Sequence, residues 1–500
     1  RLAQALERAP KGNLHKEGEK LARRNKLFVR ERIDLLCDPG TFVEEWLKFK
    51  DRSINETIFW NVDFTTGIGF VPTSFITTGI VGALAWLAFM LIFLFVGLRF
   101  LLFRSPEEPF ARFVAIASFV GTVYVLALAT FAIPGPVVLV AGFLLAGLFA
   151  SSLRYGGTRR EWGIIFSRNP RVGFIIVFGL TLMLLAAVVT AYVVVERYLA
   201  DVSYQKATVL LREGDLEGAA QLISSSLGFA PSDRAYQLMA AVGIAQMNRI
   251  ASDSTLSPSE AQQQFQGALS GSIEATLAAT AARPDNYQNW IALGSVYQTV
   301  VPLRIEGAYE NAKAAYERAA ALNPTSPTLP YIMAQLEIAQ GNGVAAEEQL
   351  AKAIGLKRDF TQAIFLLSQL EVQLGKAREA LEAAEAAAYF APNDPVVLFQ
   401  VGLLRSSTGN VDGAIQALAR AIEVNPQYAN ARFFLAVQFA AKAQYEEAVA
   451  QLEAAAALSP ENAAAVEEYI TALAQRRNPF PQTGQAATGF PPQVSDGGNR

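Results

Sequence analysis

A 34-residue recurrence in the C-terminal half constrains this chain more than any other feature. Pro324, Arg358, Pro392, Pro426 and Pro460 stand 34 residues apart. Ala346, Ala380, Ala414 and Ala448 keep the same interval, as do Ala319, Ala353, Ala387, Ala421 and Ala455. Gly341, Gly375 and Gly409 repeat with it, and Ala443 takes their place in the last copy. A fixed period of this length marks a stacked repeat whose units bury their apolar faces only against their neighbours, so that three or more are needed. Small side chains at fixed places let two helices approach closely. The glycine marks the turn between them, and proline closes the second helix because it cannot continue one.

The same residues resemble the tetratricopeptide repeat (TPR) family. The fullest match is Trp290, Leu293, Gly294 and Tyr297 on one helix, then Ala312, Tyr316, Ala319 and Pro324 on the next. The resemblance implies about seven helical hairpins, starting near residues 200, 234, 287, 327, 361, 395 and 429. The second is stretched around Asn248–Ser259 and the third by Val300–Ala308, and a closing helix lies at about Ala463–Arg476. It also implies a protein or peptide partner, which a fold alone does not name. Tyr331, Phe365, Phe399 and Phe433 share the 34-residue interval, at the fifth position of four consecutive repeats. In the family this position tends to face the concave groove, which predicts an aromatic ladder holding an extended or helical peptide. The competing reading packs these rings between adjacent first helices. No row of Lys and Asn lines the helices, so the carboxylate clamp of chaperone-binding members is not implied.

Four uncharged apolar runs precede the repeats: Thr77–Leu98, Phe113–Ile133, Val137–Leu153 and Val172–Val195. A bilayer core needs about 20 apolar residues per helix, within a range of about 17–25, and the third run sits near the short limit. Arg99, Arg104 and Arg112 flank the first connection, and Arg154, Arg159, Arg160, Arg168 and Arg171 crowd the third. The second is the uncharged turn Pro134-Gly135-Pro136. Arginine in short loops stays cytoplasmic, so 99–112 and 154–171 are expected inside. The segment 55–76 and everything after Glu196 are then expected outside. No ionisable side chain lies within the runs, which disfavours a pump or coupled transporter.

Charge follows the same division. Residues 1–55 hold 13 Lys/Arg and 9 Asp/Glu, and residues 56–195 hold 8 Arg and 5 acids. The remaining 21 basic and 31 acidic residues give 196–500 a net charge of -10. Such an acidic array disfavours nucleic acid as a partner. One His and one Cys in 500 residues exclude a His/Cys zinc site, an intrachain disulfide and a paired-Cys redox motif. Only His15 could serve a Ser-His-Asp or Cys-His site. No cofactor is expected.

Two further resemblances concern the N-terminal side. The run TTGIVGALAWLAF, from Thr77 to Phe89, looks like the end of the large periplasmic loop of the O-antigen ligase/polymerase family, where it enters a late membrane helix. A TPR tail also occurs in that group. Its loop carries Arg and His residues, whereas here no His follows His15 and no Arg lies between Arg52 and Arg99. The run KLFVRERIDLLCDPGTFVEE, from Lys26 to Glu45, resembles the N-terminal part of the carboxyltransferase subunit of acyl-CoA carboxylases, without the Gly-rich thioester site that follows it there. Read by its residues alone it is a charged amphipathic helix ended by Asp38-Pro39-Gly40. A basic head with no signal peptide or span before it conflicts with an outside location for 55–76. A chimeric junction near Lys48–Ile54, a re-entrant first helix, or a genuine fusion would each resolve the conflict.

Together these readings predict an all-α chain. Residues 1–54 form a basic carboxyltransferase-like fragment, 55–76 an extracytoplasmic pre-membrane segment and 77–195 four transmembrane helices. Residues 196–477 form an α-solenoid of about seven TPR hairpins, and 478–500 a disordered tail. The expected function is a membrane-anchored extracytoplasmic scaffold for protein–protein interaction, embedded in the inner membrane and in contact with its lipid. The alternative is the C-terminal portion of an O-antigen-ligase-like polymerase without its catalytic part.

Overall fold

A computed structural model describes residues 42–103, 108–153, 170–458 and 460–480. The described residues contain helices and no strand. The connections at 104–107 and 154–169, the basic head before residue 42 and the tail beyond residue 480 lie outside the described residues. The chain folds as two compact units. The first comprises residues to Lys50, Val62–Gln246 and Ala278–Asn286. The second comprises Asp51–Asn61, Met247–Leu277 and the chain from Tyr287 onward.

The first unit opens with α1 (Phe42–Phe49) and α2 (Phe70–Thr77), then the apolar α3 (Gly79–Phe103), α4 (Pro109–Phe131) and α5 (Pro136–Ser152). The buried face of α4 runs Ala111, Ala115, Ser118, Phe119, Thr122, Val125 and Ala129, a helical stripe of mostly small residues. Its hydroxyls turn back onto their own helix, Ser118 to the Val114 carbonyl at 2.6 Å and Thr122 to that of Ser118 at 2.8 Å. These hydroxyls therefore meet the apolar surround already paired. Against this stripe lie Phe93, Phe119 and Phe149, with ring centroids 5.3–5.5 Å apart. Gly97 makes the fit: a Cβ there would run into the Phe119 ring.

Four spans were expected. Three of the described helices are long and apolar enough to cross a membrane: α3, α4 and, from Gly173, the long helix α6 (Pro170–Glu213). The third apolar run forms α5, with 17 residues. That is about 26 Å of helix against a hydrocarbon core of about 30 Å.

Helix α6 has 44 residues and no break where the charges resume at Glu196. At about 1.5 Å per residue it extends some 66 Å, roughly twice the hydrocarbon core. Its last turns pair with α7 (Leu216–Phe229) across a turn at Gly214, whose φ is +84°. Asp215 caps α7 by accepting from the Gly218 amide at 2.9 Å. Ala207, Leu216, Ala219 and Ile223 form the hairpin core, together with Ala235 and Val242 of α8 (Asp233–Ser252). The boundary between the units falls within α8 and again within α9 (Pro258–Ala282).

The second unit carries the regular hairpins: α10 (Tyr287–Val300) with α11 (Ala308–Leu322), α12 (Thr328–Gln340) with α13 (Gly343–Leu356), and α14 (Thr361–Gln373) with α15 (Ala377–Phe390). These continue in α16 (Pro395–Ser407) with α17 (Val411–Val424), and α18 (Ala429–Ala441) with α19 (Tyr445–Ala456). Helix α20 (Pro460–Ala474) closes the row. The periodic alanines are its packing points: Ala312, Ala346, Ala380, Ala414 and Ala448 are all fully buried, as are Ala319, Ala353, Ala387, Ala421 and Ala455. A second small series on the first helices, Gly294, Ala334, Ser368, Gly402 and Ala436, is also buried. Tyr316 and Leu418 of the second helices fit against two of its members. A Cβ on Gly294 would run into the Tyr316 ring, and one on Gly402 would meet Leu418 at 2.6 Å. The polar member, Ser368, gives its hydroxyl proton to the Ala380 carbonyl at 2.8 Å. Gly341, Gly375 and Gly409 take φ of +87°, +74° and +84° at the hairpin turns, and Ala443 is forced to +58° in the last. A side chain in that region is strained.

Candidate peptide-binding surface of the repeat array

The four rings of the predicted ladder occupy unlike surroundings. Tyr331, Phe365 and Phe399 are half-buried, whereas Phe433 is 1% exposed. The closing helix and the residues after it enclose Phe433: Tyr469 lies 5.7 Å from its centroid and Phe480 5.8 Å. Phe480 in turn stacks on Tyr469 at 5.2 Å, so the first residues of the segment read as a disordered tail are packed. Phe433 offers no ring face to a partner. Phe399 packs on Tyr428 and Phe434 of the next repeat. Phe365 lies against the core formed by Ile364, Ala387 and Val397. Among the described residues, no two of the four rings pair with each other; each reaches instead toward its neighbouring repeat.

Tyr331 leads to a second feature. Its ring packs on Phe360 at 5.4 Å, and Phe360 packs on Trp60 at the same separation. Trp60 belongs to Asp51–Asn61, a segment within the same compact unit as the repeats. Asp51 caps a short 3-10 turn, Arg52–Glu56, by accepting from the Ser53 amide. Asn55, fully buried, is the centre of this seat. Its side-chain amide donates to the Thr325 carbonyl at 2.8 Å and to the Leu356 carbonyl at 3.2 Å. Its own main-chain carbonyl accepts from Lys357 Nζ at 3.1 Å. Lys357 also bonds Asp359 at 2.7 Å and lies 5.3 Å over the Trp60 ring. Arg52 donates to the Gly355 carbonyl. Gly355 and Leu356 end α13, so these donors reach carbonyls that the helix itself leaves open, at the negative end of its dipole.

Two carboxylates of the first helices show what the array tolerates. Glu337 is buried but well satisfied: Tyr309 donates to both its oxygens, at 2.9 and 3.0 Å, and Asn342 to one at 2.8 Å. One repeat later Glu371 is equally buried, and its Oε2 has no hydrogen-bond partner among the described residues. Burial, and then the nearby Glu347, push the Glu371 carboxyl above its ordinary value, with Lys376 opposing them. Among the described residues, no group of three or more His, Cys, Asp or Glu could hold a metal ion.

Tetratricopeptide repeat models match residues 303–363 and 402–463. These stretches are TPR repeats. Among solved structures, the chain is similar to MamA, at 23% identity over 34% of this chain and 96% of that one, with a TM-score of 0.29. It is similar to YrrB, a TPR protein with an unusual peptide-binding site, at 22% identity over 39% and 98%, with a TM-score of 0.33. It is similar also to TTC0263, a thermophilic TPR protein of Thermus thermophilus, at 19% identity over 41% and 98%, with a TM-score of 0.32. No curated protein sequence matches the chain. TPR proteins are protein-interaction scaffolds.

The 34-residue period marks the TPR array, but nothing in it marks the seat. Phe360 carried a faint signal, because Tyr428 recurs two periods later at the same place before a first helix. Trp60 was legible only as an aromatic beside an apolar run. Nothing around Asn55 distinguishes it from a surface asparagine.

Proposed function

We propose that the chain is a membrane-anchored scaffold whose TPR array presents a surface for a protein or peptide partner outside the cytoplasm. The observation that carries this reading is helix α6. It begins as an uncharged apolar run with large side chains exposed, among them Phe174 at 70% and Met183 at 70%, and ends as the first helix of the first hairpin. An apolar surface of this length, bare in water, would be a strong aggregation liability; in lipid it is a span. With no glycine or proline from Leu180 to Glu213, the same helix carries the span into the array without a hinge. About seven hairpins and four spans complete the proposed architecture, with α5 as the short span. The array's net charge of -10 favours a neutral or basic protein partner over nucleic acid.

Alkaline carbonate extraction of bacterial membranes holding the full chain tests the anchoring: the chain is expected in the pellet. Release into the supernatant would refute it. Protease added to spheroplasts is expected to digest the array, and its full protection would refute the outside location.

A further inference from the structure

Segment Asp51–Asn61 meets the array as a ligand would. It has no repeat character, yet it reaches groups about 300 residues away in the chain, at the turns between successive hairpins. The contacts are chemically selective. The Asn55 amide gives both its protons to main-chain carbonyls, which an aspartate could not do and would repel. Arg52 and Asn55, three residues apart, face the carbonyl end of α13. Five residues beyond Asn55, the Trp60 ring is held between Phe360 and the Lys357 ammonium. Lys357 is not a requirement of the 34-residue period, since position 357 is Ala391 and Asn425 in the following copies; position 360 is Asp394 in the next copy and aromatic again only at Tyr428.

We propose that the turns at 323–327 and 355–360 form a peptide-binding seat, selective for a segment that presents a cation, a side-chain amide and an aromatic ring in the spacing of Arg52, Asn55 and Trp60. In this chain the seat is filled by residues 51–61 as an intramolecular ligand. Because residues 51–61 belong to the same chain as the seat, the closed clasp competes with a free segment of the same chemistry until it opens. The seat deepens the scaffold reading and rests on it in one respect. If the apolar helices span a bilayer, the clasp joins chain before the first span to chain after the last, so the crossings are even in number and α5 is one of them.

The test uses the full-length chain purified in detergent and a fluorescent peptide of residues 50–62, followed by anisotropy. The variant N55A/W60A, its seat vacated, is expected to bind the peptide at least tenfold more tightly than the unaltered chain does. Adding F360A or, should that variant lose helical signal, K357A is expected to remove the gain. A peptide carrying N55A and W60A is expected not to bind. Equal binding to the unaltered and vacated chains would overturn the proposal, as would no binding to a vacated chain with unchanged circular dichroism. Because the measurement is made in detergent, failure of the membrane reading would leave its outcome untouched, and carbonate extraction would report that failure separately.

Discussion

The apolar block and the TPR array solve one problem, bringing helices close, by different means. In the array the small residues are alanines on a strict 34-residue beat, each fully buried, and the large residues are spread among them. In the block the close approach depends on single glycines, Gly97 under Phe119 and Gly142 under Val125, with no beat at all. The array must exclude water along its length, so every copy repeats the solution. If the block lies in a bilayer as proposed, burial against a neighbouring helix gains little over burial in lipid, and shape at a few points decides. Helix α6 belongs to both: its apolar part is bare within the chain and its end is core.

This contrast can be broken at graded cost. Ala380→Leu inserts bulk at a fully buried packing point and is expected to cost about 3 kcal/mol, read as a lowered thermal midpoint of the detergent-purified chain. The same-sized change on the exposed side of α3, Ala85→Leu, is expected to leave the midpoint in place; comparable losses at the two sites would erase the distinction. Gly97→Val, aimed at the Phe119 ring, is expected to cost about 2 kcal/mol. Ala443→Gly is expected to stabilise the array by about 0.5–1 kcal/mol by relieving the positive φ that the other copies give to glycine. A destabilised variant would mean that the turn is not strained.

Glu371→Gln gives the smallest and most conditional effect. The folded carboxyl is raised above its ordinary value of 4.5, so the folded state holds its proton more tightly than the unfolded state does. The contribution of this group to native stability is therefore full below pH 4.5 and is lost as pH rises through the raised value. The variant's melting temperature is expected to exceed that of the unaltered chain at about pH 8, and the gap to close toward pH 4.5. A gap that widens on acidification would reverse the sign and the cause.

What was legible in the sequence follows from what sequence period encodes. The beat placed the starts of α12, α14, α16 and α18 within a residue and marked Ala443 as standing at a glycine turn, where its φ is positive, because each reports local backbone geometry. The division at residue 195 was less informative. The return of charge at Glu196 marks where the chain becomes polar, but it is no helix stop, and α6 runs on to Glu213. Likewise the boundary drawn at residue 54 cuts the turn Arg52–Glu56. Phe433 shares the register of Tyr331, yet the closing helix covers it, an end effect that period alone cannot carry. The seat was invisible because its selectivity lies in main-chain carbonyls, which have no residue letter.

If the proposed topology holds, one membrane face holds both the segment before the first span and the array after the last. Two positions report it: Ile58, 83% exposed in the clasp segment, and Tyr389, 80% exposed on α15. Each is changed to cysteine in a chain whose native Cys37 is replaced by serine, and a membrane-impermeant maleimide is applied to spheroplasts and to inside-out vesicles. Both positions are expected to label in spheroplasts and neither in inside-out vesicles. Labelling of the two positions from opposite faces would contradict it.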